Sequence, residues 1–375
     1  MSAADSNRPG RQPLLQAAVT RPVLGAADGA LVTSTAPAHA ATSAAAESRY
    51  DPSSPRFTLA VLPDTQCLFD ADGADPEPVR ATFRYLVSQR EEADIAFMAH
   101  LGDITEHGSR EEITLAAGTF DALDGKLPYS VLAGNHDISS GDDQRGDSPY
   151  LHAFGPHRFA SMPTFGGASP DGYNSYHVLT AGGRRWLILA LDWRVSDSGL
   201  RWAQGALDAH PTLPTILTTH NLVWAAGDGG AHLSDNGRRL WDDLISGNDQ
   251  IFLGLGGHFR PPGRTVLTNG ADNDVHLHIT NYQDRYYGGA GMIRLYRFDL
   301  VRNVIDVETF SPWLLARDAA DRTQLEAETA ELTGPVDRFS MSIDFDDRFK
   351  GFSPVVPPKP RPAPTPAAMP HGTIA

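Results

Sequence analysis

Five short polar motifs, each set directly after an aliphatic run that reads as a buried strand, constrain this chain more than any other feature. Phe57–Leu62 runs into Pro63-Asp64-Thr65-Gln66, Ile95–Leu101 into Gly102-Asp103, and Tyr129–Ala133 into Gly134-Asn135-His136-Asp137. Further on, Thr215–Thr219 ends at His220-Asn221, and Ile251–Leu255 ends at Gly256-Gly257-His258-Phe259-Arg260. Helical patterns over Glu77–Arg90 and Arg110–Leu123 separate the first three strands, giving a β-α-β-α-β order. That order predicts a layered α/β fold with ligands at the strand ends, because parallel strands joined by helices bring their C-terminal ends together. The motifs then surround one point with carboxylate, amide and imidazole donors, a mixture suited to Zn, Mn or Fe.

The rest of the chain is arranged around that frame. Trp186–Leu191 reads as a strand, Leu200–Ala209 and Asn236–Leu244 as helices, and Met292–Phe298 with Val304–Phe310 as a β-hairpin. From Ile138 to Tyr176 the chain is Gly- and Pro-rich without clear periodicity, which predicts loops walling the site. The expected organisation is 1–54, an export signal or disordered tail; 55–313, the α/β domain; 314–352, an accessory segment with a last strand near Arg338–Phe345; and 353–375, a Pro-rich linker. In the first section Arg8 and Arg11 precede Leu14-Leu15, and Ala38-His39-Ala40 has the small-x-small form of a signal-peptidase site, so a secreted protein is expected.

Charge and cysteine content narrow the chemistry. A net charge of -15 excludes a non-specific nucleic-acid coat protein, which needs many cations against phosphates. A phosphate-bearing partner must instead be drawn in by a metal or a few placed cations. The single cysteine, Cys67, rules out an intramolecular disulfide and a thiolate zinc cluster, and reads as a small buried apolar residue. No run approaches the roughly 18 apolar residues needed to span a bilayer.

Taken in order, the motifs resemble those of the calcineurin-like metallophosphoesterase family, whose pattern is D-x-H, G-D, G-N-H-D/E, an isolated His and G-H-x-H. The resemblance covers most of Phe57–Pro312. The Pro63-Asp64-Thr65-Gln66 form and the later Asn281-Tyr282-Gln283-Asp284-Arg285 are similar to a secreted bacterial subgroup. What the resemblance implies is a four-layer α/β/β/α sandwich of two mixed sheets flanked by helices. It also implies metal-dependent hydrolysis of a small-molecule phosphomonoester or phosphodiester. The implied cofactors are one or two divalent or trivalent ions of Fe, Mn, Zn or Ca per chain. Carried over residue by residue, Asp103 matches the carboxylate that bridges two metals, and Asn135, His220 and His258 match the other ligands of the second metal. His136 matches the histidine that meets the phosphate and protonates the leaving oxygen, and Asp137 matches its orienting partner.

The first metal site departs from the family pattern. Gln66 stands where the family has a histidine, and Arg260 stands where it has the second histidine of G-H-x-H. Asp64, Asp103 and Gln66, through its amide oxygen, remain as ligands; a guanidinium has no lone pair to give. Two readings stay open. Both metals bind, with water, Gln66 or a residue such as His107 replacing the lost ligand, or one metal binds and Arg260 offers its planar fork to the phosphate. Arg260 also fits a plain salt bridge. The same departures allow an inactive relative that kept the scaffold as a binding protein. His276 and His278 share one face of a strand-like run and are weaker ligand candidates. Tyr282, Asp284, Tyr286, Tyr287, Trp193 and Trp224 fit either a substrate wall or ordinary packing.

Overall fold

Along β1 (Arg56–Leu62), Phe57, Leu59 and Val61 enter one core while Ala60 and Leu62 enter another, the period of two that a strand covered on both faces requires. The computed structural model describes residues 50–71, 75–138 and 146–352. The export-signal or tail reading, 1–54, falls outside the described residues over 1–49, and the Pro-rich-linker reading, 353–375, lies wholly outside them.

Helix α1 (Glu77–Ser88) joins β1 to β2 (Ile95–His100), and α2 (Arg110–Phe120) joins β2 to β3 (Tyr129–Ser130), with the three strands parallel. The start of α2 is written in its sequence. Ser109 Oγ accepts from the Glu112 N–H at 3.2 Å, and the Glu112 carboxylate accepts from the Ser109 N–H at 3.4 Å. Helices α3 (Pro149–Phe154) and α4 (Pro156–Phe159) lead to β4 (Phe165–Ala168), β5 (Ser175–Ala181) and β6 (Arg184–Leu191). Helix α5 (Asp197–Ala209) precedes β7 (Thr215–Thr219), and β8 (Val223–Ala225) pairs with β9 (Ala231–Leu233) as a small hairpin. Helix α6 (Asp235–Leu240) leads to β10 (Ile251–Gly256), β11 (Gly263–Thr268) and β12 (Asp274–Ile279). The chain then returns to the first sheet with β13 (Ile293–Asp299), β14 (Val304–Phe310), β15 (Glu331–Leu332) and β16 (Phe339–Ser342).

The first sheet runs β15-β14-β13-β1-β2-β3 with β16 against β14, and the second runs β11-β12-β10-β7-β6-β5-β4. Both are mixed. Parallel β1, β2 and β3 meet antiparallel β13, and parallel β6, β7, β10 and β12 meet antiparallel β5 and β11. Between the sheets, Phe57, Leu59, Phe97 and Phe298 of the first pack with Trp186, Ile188 and Phe252 of the second. The outer face of the first sheet is covered through Phe83 and Phe120 of α1 and α2, and that of the second through Leu200, Leu207 and Leu240 of α5 and α6. The fold is therefore a four-layer α/β/β/α sandwich. Each fully buried large apolar side chain in these cores contributes roughly 1.5–3 kcal/mol.

Several sequence boundaries shift. The strand read as Tyr129–Ala133 pairs with β2 only over Tyr129–Ser130, because the chain then turns toward the second sheet, where the Trp193 N–H donates to Ala133 O at 3.0 Å. The stretch from Ile138 to Tyr176 is less irregular than expected, since it holds α3, α4, β4 and the start of β5. Its periodicity is hidden because Ser175–Ala181 alternates fully and partly buried residues, with polar Ser175 and His177 on the buried side. Residues 314–352 are not an accessory. β15 and β16 extend the first sheet, and Phe345 and Phe349 fill the inter-sheet core.

Candidate metal centre

The ends of β1, β2, β7 and β10 carry Asp64, Asp103, His220 and His258, and the loop after β3 carries Asn135, His136 and Asp137. The turns are tight and partly left-handed, with φ of 91° at Gly102, 51° at Asp103 and 71° at His258. Glycine is required where backbone meets carboxylate. A Cβ on Gly134 would lie 2.1 Å from Asp103 Oδ1, and one on Gly257 would lie 2.7 Å from Asp64 Oδ1.

Asp103, His220 and His258 each offer a ligand atom, and these atoms lie within 4.8 Å of one another. His220 Nε2 is 3.1 Å from Asp103 Oδ2, and His258 Nδ1 is 3.2 Å from His220 Nε2. The other His220 nitrogen, Nδ1, donates to Leu101 O at 2.8 Å, which fixes the ring with Nε2 turned toward Asp103. Burial opposes charge on His220, but the Asp103 carboxylate overrides it and raises the imidazole. Burial likewise opposes ionisation of Asp103, yet His220 holds that carboxyl below its ordinary range. His258 is pushed down to about 4 by burial first and by His220 next, so it is neutral at pH 7.

Asp64 receives the His258 N–H on both oxygens, at 3.0 and 3.1 Å, and its Oδ1 is 3.9 Å from His220 Nδ1. Its carboxyl is pushed up by burial, with the Asp103 charge adding to the rise and His220 opposing it. The amide oxygens Oδ1 of Asn135 and Oε1 of Gln66 are buried with no hydrogen-bond partner among the described residues. Buried carbonyl oxygens left without a donor are costly, and packed carboxylates lack countercharge. A cation answers both. The donor set, two histidines with carboxylates and amide oxygens, fits a Zn, Mn or Fe ion.

His136 is held differently from the expectation. Its ring Nδ1 lies 2.6 Å from the backbone carbonyl of Glu106, whose carboxylate is 3.8 Å from the same nitrogen. Asp137 does not orient it. The Asp137 carboxylate is buried and accepts from the backbone N–H groups of Ile104 at 3.1 Å, Thr105 at 2.9 Å and Gly134 at 2.9 Å, and from the Thr105 hydroxyl at 3.1 Å. Adjacent side chains leave a tight turn in different directions, so Asp137 ties the turn after β2 to the turn after β3 while His136 is part-exposed. Asp137→Ala is expected to destabilise the protein by about 2–4 kcal/mol, since several buried donors lose their acceptor at roughly 1–3 kcal/mol each. Urea unfolding would measure it, and a loss below about 0.5 kcal/mol would remove this role.

The remaining candidates separate clearly. Arg260 is exposed and forms no salt bridge among the described residues, so the plain ion-pair reading has no support. His107 does not stand in for the missing ligand; its ring pairs with Glu112 at 2.9 Å and lies near Asp70. Cys67 is exposed rather than buried, because it is the middle residue of a short helical turn, Gln66–Leu68, whose inward positions are taken by Gln66 and Leu68. His278 Nδ1 is 2.9 Å from the Tyr296 hydroxyl in the core, and Tyr282 is buried with its hydroxyl on Asp337 at 2.7 Å, so both serve packing.

Other functional positions carried little sequence signal. Glu106 acts through its backbone carbonyl, which any residue supplies. Buried His100 links the β1 and β2 turns: its Nε2 is 3.0 Å from Thr65 Oγ1, and its Nδ1 accepts from the Gly102 N–H at 3.1 Å.

Two facing mixed sheets that gather carboxylate, imidazole and amide donors at their strand ends define a metallohydrolase scaffold. The chain belongs to the calcineurin-like phosphoesterase family, whose model matches residues 57–259. It is 26% identical over 308 residues to the protein YvnB of Bacillus subtilis (strain 168), an alignment covering 80% of this chain and 22% of that relative. Among solved structures, the purple acid phosphatase PPD1 from yellow lupin (Lupinus luteus) seeds is similar at a TM-score of 0.49 and 16% identity, covering 80% of this chain and 56% of that one. The NAD nucleotidase NadN of Haemophilus influenzae is similar at a TM-score of 0.39 and 14% identity, covering 68% and 48%. Among the described residues, no helix is long and apolar enough to cross a membrane.

Proposed function

We propose that this chain hydrolyses a small-molecule phosphate ester in a metal-dependent reaction, with His136 delivering the proton to the leaving oxygen. The observation that carries the reading is the cluster of Asp103, His220 and His258 within 4.8 Å, with half-buried His136 on the adjoining loop. Asp103, His220, His258 and Asn135 would hold the principal ion, and Asp64, Gln66 and Asp103 a second. A bound cation supplies positive charge to the phosphoryl oxygens and lowers the pKa of the attacking water. The Glu106 carbonyl, 2.6 Å from His136 Nδ1, accepts that N–H and leaves Nε2 to carry the transferable proton. Exposed Arg260, with no ion-pair partner among the described residues, supplies a guanidinium for a phosphoryl oxygen.

The two ions are not held equally. The second loses a histidine to Arg260 and keeps a neutral amide at Gln66. Dialysis of metal-loaded protein is expected to leave close to one ion per chain, with the other lost, as read by metal analysis. Two ions retained after exhaustive dialysis would sink this inequality.

Gln66 and Arg260 also favour a second reading, a scaffold that binds its ligand without turning it over. An aryl phosphate and an aryl phosphodiester, offered with Mn, Zn, Fe or Ca, separate the two. Turnover with either ester supports the hydrolase, and inactivity with every metal supports the binding protein.

A further inference from the structure

At the end of the second sheet away from the metal centre, a cleft of about 290 Å³ opens between the starts of β10 and β12 and the chain that follows β16. The exposed residues Asp272, Asp274 and Asp347 line it, with Ser342 and Arg348. Its walls are held in place by packing and by one buried junction. The Phe349 ring lies 5.2 Å from that of Phe252 in β10, which docks the short helix Phe345–Arg348 against the sheet. The Asp249 carboxylate accepts from Asn269 Nδ2 at 2.9 Å and from Asn273 Nδ2 at 3.0 Å, and lies 3.1 Å from Arg348 Nη2, so it joins the Asn269–Asn273 loop to the arginine.

Arg348 is only partly satisfied. Its side chain is 10% exposed, and Nη2 also donates to Asp249 O at 2.6 Å, but Nε and Nη1 are buried with no hydrogen-bond partner among the described residues. Unpaired donors on a buried cation are costly, and an oxygen seated on the cleft floor would relieve them. The carboxylates of Asp272, Asp274 and Asp347 form no salt bridge or hydrogen bond among the described residues, and so stand ready to accept protons from the same ligand. From this juxtaposition we infer that the cleft binds a neutral, polyhydroxylated ligand of the size of one sugar ring, at a site separate from the metal centre. The inference does not depend on the hydrolase reading. A hydroxyl accepts from an Arg348 N–H while giving its own proton to a carboxylate, which matches both sides of the lining. Other classes fit less well. A bare metal ion would meet the Arg348 charge, and no three acidic or histidine side chains of the cleft bring ligand atoms within 4.8 Å of one another. A phosphate or carboxylate ligand would be repelled by the three aspartates.

The test is saturation-transfer NMR of the full chain with methyl glucoside, methyl galactoside, methyl mannoside and, as a zwitterion, lysine. At least one glycoside is expected to bind with a dissociation constant on the order of 1 mM. Its affinity should fall about tenfold in Arg348→Ala and in Asp274→Ala, as expected for losing a hydrogen bond to a charged group. Arg348→Ala also releases Asp249, so if that variant fails to fold, Asp274→Ala decides, because its exposed carboxylate has no partner to lose. Metal content should match the wild type in Asp274→Ala, since the cleft and the metal centre lie at opposite ends of β10. The site is overturned if no glycoside binds at about 100 mM, if Asp274→Ala keeps affinity within about twofold of wild type, or if lysine binds more tightly than every glycoside.

Discussion

Asp103→Asn is expected to leave the protein folded, to abolish tight metal binding and to lower phosphate-ester hydrolysis by about 10³ or more. The fold should survive for local reasons. Asparagine tolerates the left-handed backbone that this position adopts, at φ 51°, and its side-chain oxygen can still accept the His136 N–H now held at 3.0 Å. What it removes is the buried negative charge against which His220 Nε2 is set at 3.1 Å, and the oxygen donor common to both proposed metal positions. Asp103→Ala would add a backbone penalty and confuse the result, so the amide variant is the cleaner probe. His258→Ala should also lower metal content and activity together, but less completely, because Asp103, His220 and Asn135 remain. Metal analysis alongside turnover decides the matter: an Asp103→Asn protein that retains wild-type metal content would show that Asp103 is not a principal ligand.

The centre could be located from sequence because its residues sit where strand periodicity stops. Asp64, Asp103, Asn135, His220 and His258 each follow a buried run, and parallel pairing of β1 with β2 and of β7 with β10 brings those ends together. The four-layer arrangement was legible only through the family resemblance, since alternating burial reveals that a strand is covered on both faces but not what covers it. β11 escaped notice because it is an edge strand with an irregular exposure pattern over Gly263–Thr268. The role of Asp137 was misread for a related reason. The family resemblance implied that it orients His136, whereas its oxygens serve N–H groups of Ile104 and Thr105, more than 30 positions away. Backbone partners are invisible in residue types, which is also why Glu106 carried no signal.

His136→Ala is expected to lower turnover by about 10²–10⁴ while leaving metal content close to that of the wild type. The two readouts separate because the ring contributes no atom to the Asp103, His220 and His258 cluster. Only its backbone N–H touches Asp103, and alanine keeps that group. The loss should depend on the leaving group. A 4-nitrophenolate departs readily without a proton, whereas an alkoxide does not, so the defect should be deeper for glycerol phosphate than for 4-nitrophenyl phosphate. This pattern distinguishes proton delivery from simple phosphate binding, which would weaken both substrates alike and mainly through KM. Equal losses on both esters would reduce His136 to a binding residue, and wild-type turnover on both would remove it from the chemistry.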